Sequence, residues 1–210
     1  MSEIPTAESQ AAATPAEVLE HLRAGNERFV AVDPTERDLL AQAAATAGGQ
    51  HPLAAVLSCI DSRVPVEAIL DVGIGEVFVA RSAGNVVDAD VLGGFEFATE
   101  LAGAKLIVVL GHSGCGAVKG ACDGAELGNL TQLLAKITPA VDSEAPDGGS
   151  PGSGDSEFVD RVIERNVMNV VDEMTARSEV LSARVASGEL AVVGGVYDLA
   201  TGRITWLPTD

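Results

Sequence analysis

The sequence predicts an α/β domain: a mostly parallel central sheet covered by helices, with an added strand and hairpin at its C-terminal end. Three observations predict it. Short, nearly continuous apolar runs at 53–58 ("LAAVLS"), 76–80 ("EVFVA") and 105–111 ("KLIVVLG") have the length and composition of strands buried on both faces. Helical segments near 65–71 and 88–102 separate them, as parallel crossovers require. A last apolar run, "ELAVVGGVYDL", is followed across "ATG" by "RITWL", the pattern of a closing strand with a hairpin partner.

Taken in order, residues 1–14 are acidic and poor in packing residues and are expected to be disordered. Thr14, Pro15 and Glu17 form a capping box with proline at the first helical position. Val18, Leu22, Phe29 and Val30 give the helix from 15 to 31 an apolar face. A second helix is expected at 36–47, stopped by Gly48 and Gly49. After the three strands, the segment 141–157, "VDSEAPDGGSPGSGDSE", holds little that could pack and is expected to be a mobile loop. From 158, "FVDRVIERNVMNVVDEM" resumes helical periodicity, so the loop reads as an insertion within a single domain spanning 15–210.

Composition narrows the functions. A formal charge of -18, from 31 acidic and 13 basic residues, disfavours nucleic acid and anionic membranes as partners. No apolar run approaches the ~18 residues of a membrane span, and the N-terminus is acidic where an export signal would be basic. A cytoplasmic location is therefore expected. Lys105, Lys119 and Lys136 are the only lysines and aromatics make up 3 %. That balance suits a halophilic protein, whose self-repulsion is screened over about 3 Å at 1 M salt; an acidic protein encoded by a GC-rich genome would look similar. Three cysteines, an odd number, do not make a disulfide framework, which leaves metal binding or catalysis as the use of a thiol.

Two cysteines sit where apolar strands turn polar: Cys59 in "LSCIDSRVP" and Cys115 in "VVLGHSGCGAVKG". If these strands are parallel neighbours, both turns emerge at the carboxyl edge of the sheet, where open α/β sheets place their sites. Cys59, His112 and Cys115 would then converge as a Cys₂His set, the donor set of a catalytic zinc with one open position. Two thiolates and an imidazole favour zinc over magnesium or calcium. Cys122 has no partner at metal spacing and reads as a small buried hydrophobe. His21 and His51 read as structural or solvated. The glycines of "GHSGCGAVKG" lack the Gly-Lys-Ser/Thr ending of a phosphate loop.

"CIDSRV", "FVARSAGN" and "GHSGCGAV", in that order and with roughly fifty residues between Cys59 and His112, resemble the β-class carbonic anhydrases. The likeness runs from "LRAGNERFV" to "ELAVVGGVYDLATGRI". It implies a β-carbonic-anhydrase-like fold, one zinc ion per chain, reversible hydration of CO₂ to bicarbonate and a proton by zinc-bound hydroxide, and a homodimer or dimer of dimers with pockets at the subunit interface. Carried onto this chain, it implies Cys59, His112 and Cys115 as metal ligands and Asp61 with Arg63 as a carboxylate–guanidinium dyad. It also implies Gln50, Phe78 and the backbone of Gly116 as substrate-binding positions. Phe97 and Ala83 depart from the tyrosine and valine of plant-like members. One branch closes its zinc site with the aspartate and tends to carry tryptophan three positions before the first cysteine; Val56 stands there and Gln50 is present, so an open site is expected. A hydrolase of carbonyl sulfide or carbon disulfide would use the same centre, and a non-catalytic zinc or bicarbonate-binding protein would need neither Asp61 nor Arg63. No histidine is placed as a proton shuttle, so buffer or a mobile surface group is expected to carry the proton.

Overall fold

A computed structural model of the chain describes residues 4–147 and 149–208. Its centre is a five-stranded sheet of order β2-β1-β3-β4-β5, formed by β1 (Ala54–Ser58), β2 (Val77–Arg81), β3 (Leu106–His112), β4 (Ala191–Tyr197) and β5 (Ile204–Trp206). Four strands are parallel, and β5 returns antiparallel to β4 across the turn at 198–203. Side chains alternate between the faces as strand geometry demands. Ala54, Val56, Leu106, Val108 and Leu110 pack with Val18 and Leu22 of α2 (Pro15–Val30) and with Ile69 of α4 (Val66–Ile69). Ala55, Leu57, Ile107 and Val109 pack on the other face with Leu92 and Phe95 of α5 (Ala89–Glu96), Val167 of α9 (Ser156–Arg177) and Leu181 of α10 (Glu179–Ala186).

The remaining helices are α1 (Ala7–Ala12), α3 (Leu39–Thr46), α6 (Gly116–Cys122), α7 (Gly128–Leu134) and α8 (Thr138–Glu144). The predicted capping box is formed: Thr14 Oγ1 accepts from Glu17 N, and the Glu17 carboxylate accepts from Thr14 N. The expected helix at 88–102 is α5 followed by a π-helical turn at Phe97–Leu101. Glycine decides how closely α9 lies on the sheet: a Cβ on Gly111 or Gly194 would stand 2.6 or 2.8 Å from Val167. Among the described residues no helix is long and apolar enough to cross a membrane.

Two expectations are corrected. Within 1–14, residues 1–3 lie outside the described residues, but Ala7–Ala12 is helical, with Thr6 and Ser9 closing a capping box. Gln10 docks it: its buried Nε2 donates to Pro52 O at 2.6 Å and Ala102 O at 2.7 Å. Polar docking of this kind leaves no apolar periodicity to read. The segment at 141–157 is shorter and better held than expected, because α8 extends to Glu144. Its second half is tied down where Ser150 Oγ donates to Cys122 O and Ser153 N and Oγ both donate to the Asp123 carboxylate.

A buried ion cluster ties the link between α2 and α3 to the core. Asp71, 4 % exposed and in the left-handed region at φ 45°, accepts from Arg28, Arg37 and both N and Oγ1 of Thr35. Burial pushes its carboxyl up, but the bonds from Arg37, Arg28 and Thr35 outweigh burial and hold it well below the usual carboxylate range. Its stabilisation is therefore complete above the unfolded-state value of about 3.9 and is lost as pH falls further, through the native value. Asp71→Asn takes the nearer carboxylate from the nearly buried Arg37, leaving it Glu76 at 3.8 Å, and is expected to cost about 3 kcal/mol at pH 7, with the deficit shrinking below pH ~4. Urea unfolding at pH 7 and pH 3 checks both; equal stabilities at pH 7 would remove the cluster from any structural role.

Candidate metal centre

The parallel pairing of β1 with β3 aligns Ser58 with Leu110, so Cys59, just past β1, and His112, the last residue of β3, stand at the same carboxyl edge. Gly114, at φ 64°, turns the chain back and sets Cys115 at the N-terminus of α6. The ligand atoms of Cys59, His112 and Cys115 all lie within 4.8 Å of one another, and all three residues are buried. The two sulfurs are 3.9 Å apart. A tetrahedral ion with metal–sulfur bonds of about 2.3 Å would need them about 3.8 Å apart.

His112 carries the clearest sign of a missing partner. Its Nδ1 lies 3.0 Å from Ser113 O, which places the ring proton on Nδ1 and leaves Nε2 with a free lone pair. Nε2 is buried and has no hydrogen-bond partner. An orphaned buried acceptor costs about 1–3 kcal/mol, a cost that a coordinated cation would remove. The sulfurs are also poised for a cation. Cys115 donates to Cys59, which, against burial, draws Cys59 toward the thiolate; the Gly84 N–H, 3.4 Å from the sulfur, acts in the same direction. The same shared proton, reinforced by burial, pushes Cys115 up.

Asp61 and Arg63 stand beside this set. Arg63 Nε donates to Asp61 Oδ1 at 2.9 Å, its Nη2 to Oδ2 at 2.7 Å, and its backbone N to Oδ1 at 2.9 Å. These bonds hold the Asp61 carboxyl well below its ordinary value, despite the opposing effect of burial. Asp61 Oδ2 stands 3.9 Å from His112 Nε2. Asp61, Cys59 and Gly116 share a cavity of about 270 Å³ with Ile60, Ala83, Ala117, Gly120, Leu130 and Leu134, a mostly apolar lining. Gly116 opens α6, so its N–H has no partner within the helix.

Gln50 and Phe78 are not brought to this cavity. Gln50 is exposed and precedes β1, while Phe78 pairs with Ala55. Both therefore lie toward the amino edge, Phe78 about 13 Å along the strand direction from the level of Cys59. There Phe78 meets Phe97 edge-on at 6.1 Å, and Phe97 is half exposed. Cys122 is buried among Val118, Leu134 and Ile137, and burial pushes its thiol up, as befits a small hydrophobe. His21 lies 3.3 Å from Glu76, remote in sequence from every ligand.

Arg81 escaped the reading of the sequence. Its Nε donates to Cys59 O at 2.8 Å and its Nη2 to Asp61 O, clamping the turn that bears both residues. It lies inside the quoted "FVARSAGN", so a basic residue at the end of the strand next to β1 was the available signal. Leu130 and Leu134 come from a helix whose packing over the cavity no local pattern reveals.

The carbonic anhydrase family model matches residues 54–204. Carbonic anhydrase 2 of Mycobacterium tuberculosis is 40 % identical over 188 residues, covering 87 % of each chain. The carbonic anhydrase of Mycolicibacterium smegmatis is 37 % identical over 189 residues, 87 % of this chain and 88 % of that one. Among solved structures, the β-carbonic anhydrase CafA of Aspergillus fumigatus superposes with a TM-score of 0.73 at 28 % identity over 90 % of each chain. A structure from the study of two tetrameric β-carbonic anhydrases of Sordaria macrospora gives 0.68 at 29 % identity, over 79 % of this chain and 85 % of that one.

The donor set predicts stoichiometric metal uptake with proton release. Ligand thiols must lose their protons, so affinity is expected to fall as pH drops. Zinc titration with metal analysis should give about one ion per chain for the native protein and well below one for Cys115→Ala or His112→Ala. Uptake that survives both changes would place the metal elsewhere.

Proposed function

The chain belongs to the β-class carbonic anhydrase family, and from that premise we propose that Cys59, His112 and Cys115 hold one zinc ion, at which CO₂ is reversibly hydrated to bicarbonate and a proton. The observation that carries the reading is the buried, unpartnered Nε2 of His112 facing two sulfurs at tetrahedral spacing. Zinc held there supplies a Lewis acid that lowers the pKa of a coordinated water.

The chain's own groups supply the rest. Asp61, kept ionised by Arg63, accepts a hydrogen bond from the attacking hydroxyl and aims its lone pair at the carbon of CO₂. The two-pronged grip of Arg63 occupies both carboxylate oxygens and keeps Asp61 turned to that task, which favours an open site. The N–H of Gly116 faces negative charge as it grows on a CO₂ oxygen. The apolar walls from Ala83, Ala117, Leu130 and Leu134 suit a nonpolar substrate and keep bulk water out. Among the described residues no histidine lines the cavity, so buffer or a mobile surface group carries the released proton.

Gln50 and Phe78 fit this scheme in the cavity of a second copy. Support comes from β2, an edge strand whose Val77, Phe78 and Val79 are only half buried, and from the half-exposed Phe97 beside it. We accordingly read the protein as a cytoplasmic homodimer or dimer of dimers. Neighbours in Sordaria macrospora are described as tetrameric.

Stopped-flow CO₂ hydration on zinc-quantified protein, from low to molar salt, is the test. Activity is expected, with Asp61→Ala slower by about 100-fold or more while zinc is retained. Bound zinc without CO₂ turnover at any pH or salt would redirect the assignment to carbonyl sulfide or carbon disulfide, or to a closed site. A further expectation concerns assembly: Gln50→Ala and Cys59→Ala chains, each impaired alone, should regain part of the native rate when refolded together. No regain on mixing would confine each site to a single chain.

A further inference from the structure

One buried polar side chain on α9 has no place in the reaction just described, yet it touches the loop that touches a ligand. Asn166 is 2 % exposed. Its Nδ2 donates to Gly84 O at 2.9 Å, and the N–H of the same Gly84 is 3.4 Å from Cys59 Sγ. Gly84 sits at φ 67°, ψ 20°, and a Cβ there would stand 2.6 Å from Ile137 Cδ1, so glycine is demanded. Glycine is also the residue least able to hold one conformation unaided. An N–H aimed at a sulfur from a glycine therefore needs an outside anchor on the other side of its Cα, and the amide of Asn166 is bonded to that carbonyl.

We propose that Asn166 is a positioning residue for the metal centre: by fixing Gly84 O it aims the Gly84 N–H at the Cys59 sulfur. A hydrogen bond to a ligand thiolate withdraws electron density from the sulfur, tunes the metal–sulfur bond and fixes the direction of the ligand's lone pairs. The sequence explains how a helix comes so near. Gly111 on β3 and Gly194 on β4 lack the Cβ that would collide with Val167, the residue after Asn166. Close approach at Val167 places Asn166 over the turn at Ala83–Asn85. Arg81 holds the carbonyl of Cys59 from the other side, so the ligand is gripped at its backbone and at its sulfur by different elements.

The inference rests on the metal reading of Cys59, His112 and Cys115, and the experiment separates the two. Cobalt(II) replaces zinc in the full-length protein, and two quantities are read: the thiolate-to-cobalt charge-transfer band and the rate of metal loss to a chelator. Asn166→Leu keeps the branched shape and heavy-atom count and removes the donor. Val170→Ala, one turn along the same helix and also buried, loses packing without touching the Gly84 loop. Asn166→Leu is expected to shift the band and to weaken metal retention by about 10- to 100-fold, while Val170→Ala stays near native in both despite lower stability. Should Asn166→Leu fail to fold, Asn166→Ala is read in the same way. Native-like band and retention in the Asn166 variant would overturn the positioning role alone. Absence of a charge-transfer band in the native protein would instead overturn the metal reading.

Discussion

The parallel pairing of β1 with β3 is the constraint on which the rest depends. It fixes Ser58 opposite Leu110 and so delivers a cysteine and a histidine, some fifty residues apart in sequence, to one sheet edge. A slip of one residue would turn one of the two to the other face, because strand side chains alternate. The register is protected by burial: every residue of both strands is inaccessible, and each face packs on its own set of helices. The third ligand adds almost nothing to this requirement. Gly114 returns the chain at once, so Cys115 follows wherever His112 goes.

Charge is the second organising force. The chain carries a formal -18, yet the centre gathers two sulfurs and Asp61, groups that repel one another when ionised. Arg63 and Arg81 answer that repulsion in different ways. Arg63 neutralises Asp61 side chain to side chain, whereas Arg81 binds the carbonyls of Cys59 and Asp61 and shapes the turn between them. A divalent cation held there would complete the balance. Thus a strongly acidic protein, unsuited to binding polyanions, sets two of its ten arginines beside the residues whose negative charge must be held together.

How much of this was legible follows from the range of each interaction. The sheet strands and the Thr14 capping box are local patterns, and the structure agrees with them; the one inferred pairing also brings Cys59, His112 and Cys115 together. Helix α1 was missed because Gln10, not an apolar stripe, attaches it. The reach of Arg81 across to the neighbouring strand's turn, the lining by Leu130 and Leu134, and the contact of Asn166 with Gly84 depend on which elements become neighbours in space. Motif reading found the loop "RSAGN" as a likeness without assigning work to any of its residues. The work became visible only when the atoms facing Cys59 were identified.

The separation of Gln50 and Phe78 from the metal set shows what a sheet can and cannot do by itself. Residues at the carboxyl ends of β1 and β3 converge by construction, while residues at the amino end of the same sheet stay a strand length away however the loops are drawn. No rotamer of Phe78 spans about 13 Å, so the substrate-binding role proposed for it requires the pocket of another copy. The edge position of β2 supplies the means. Its outer backbone groups and its half-buried Val77, Phe78 and Val79 form a surface that a lone subunit leaves uncovered. Covering that edge with a second copy would remove an aggregation hazard and would bring a substrate-facing aromatic to each cavity. On the proposed assembly, stability and catalysis would then make the same demand on the interface.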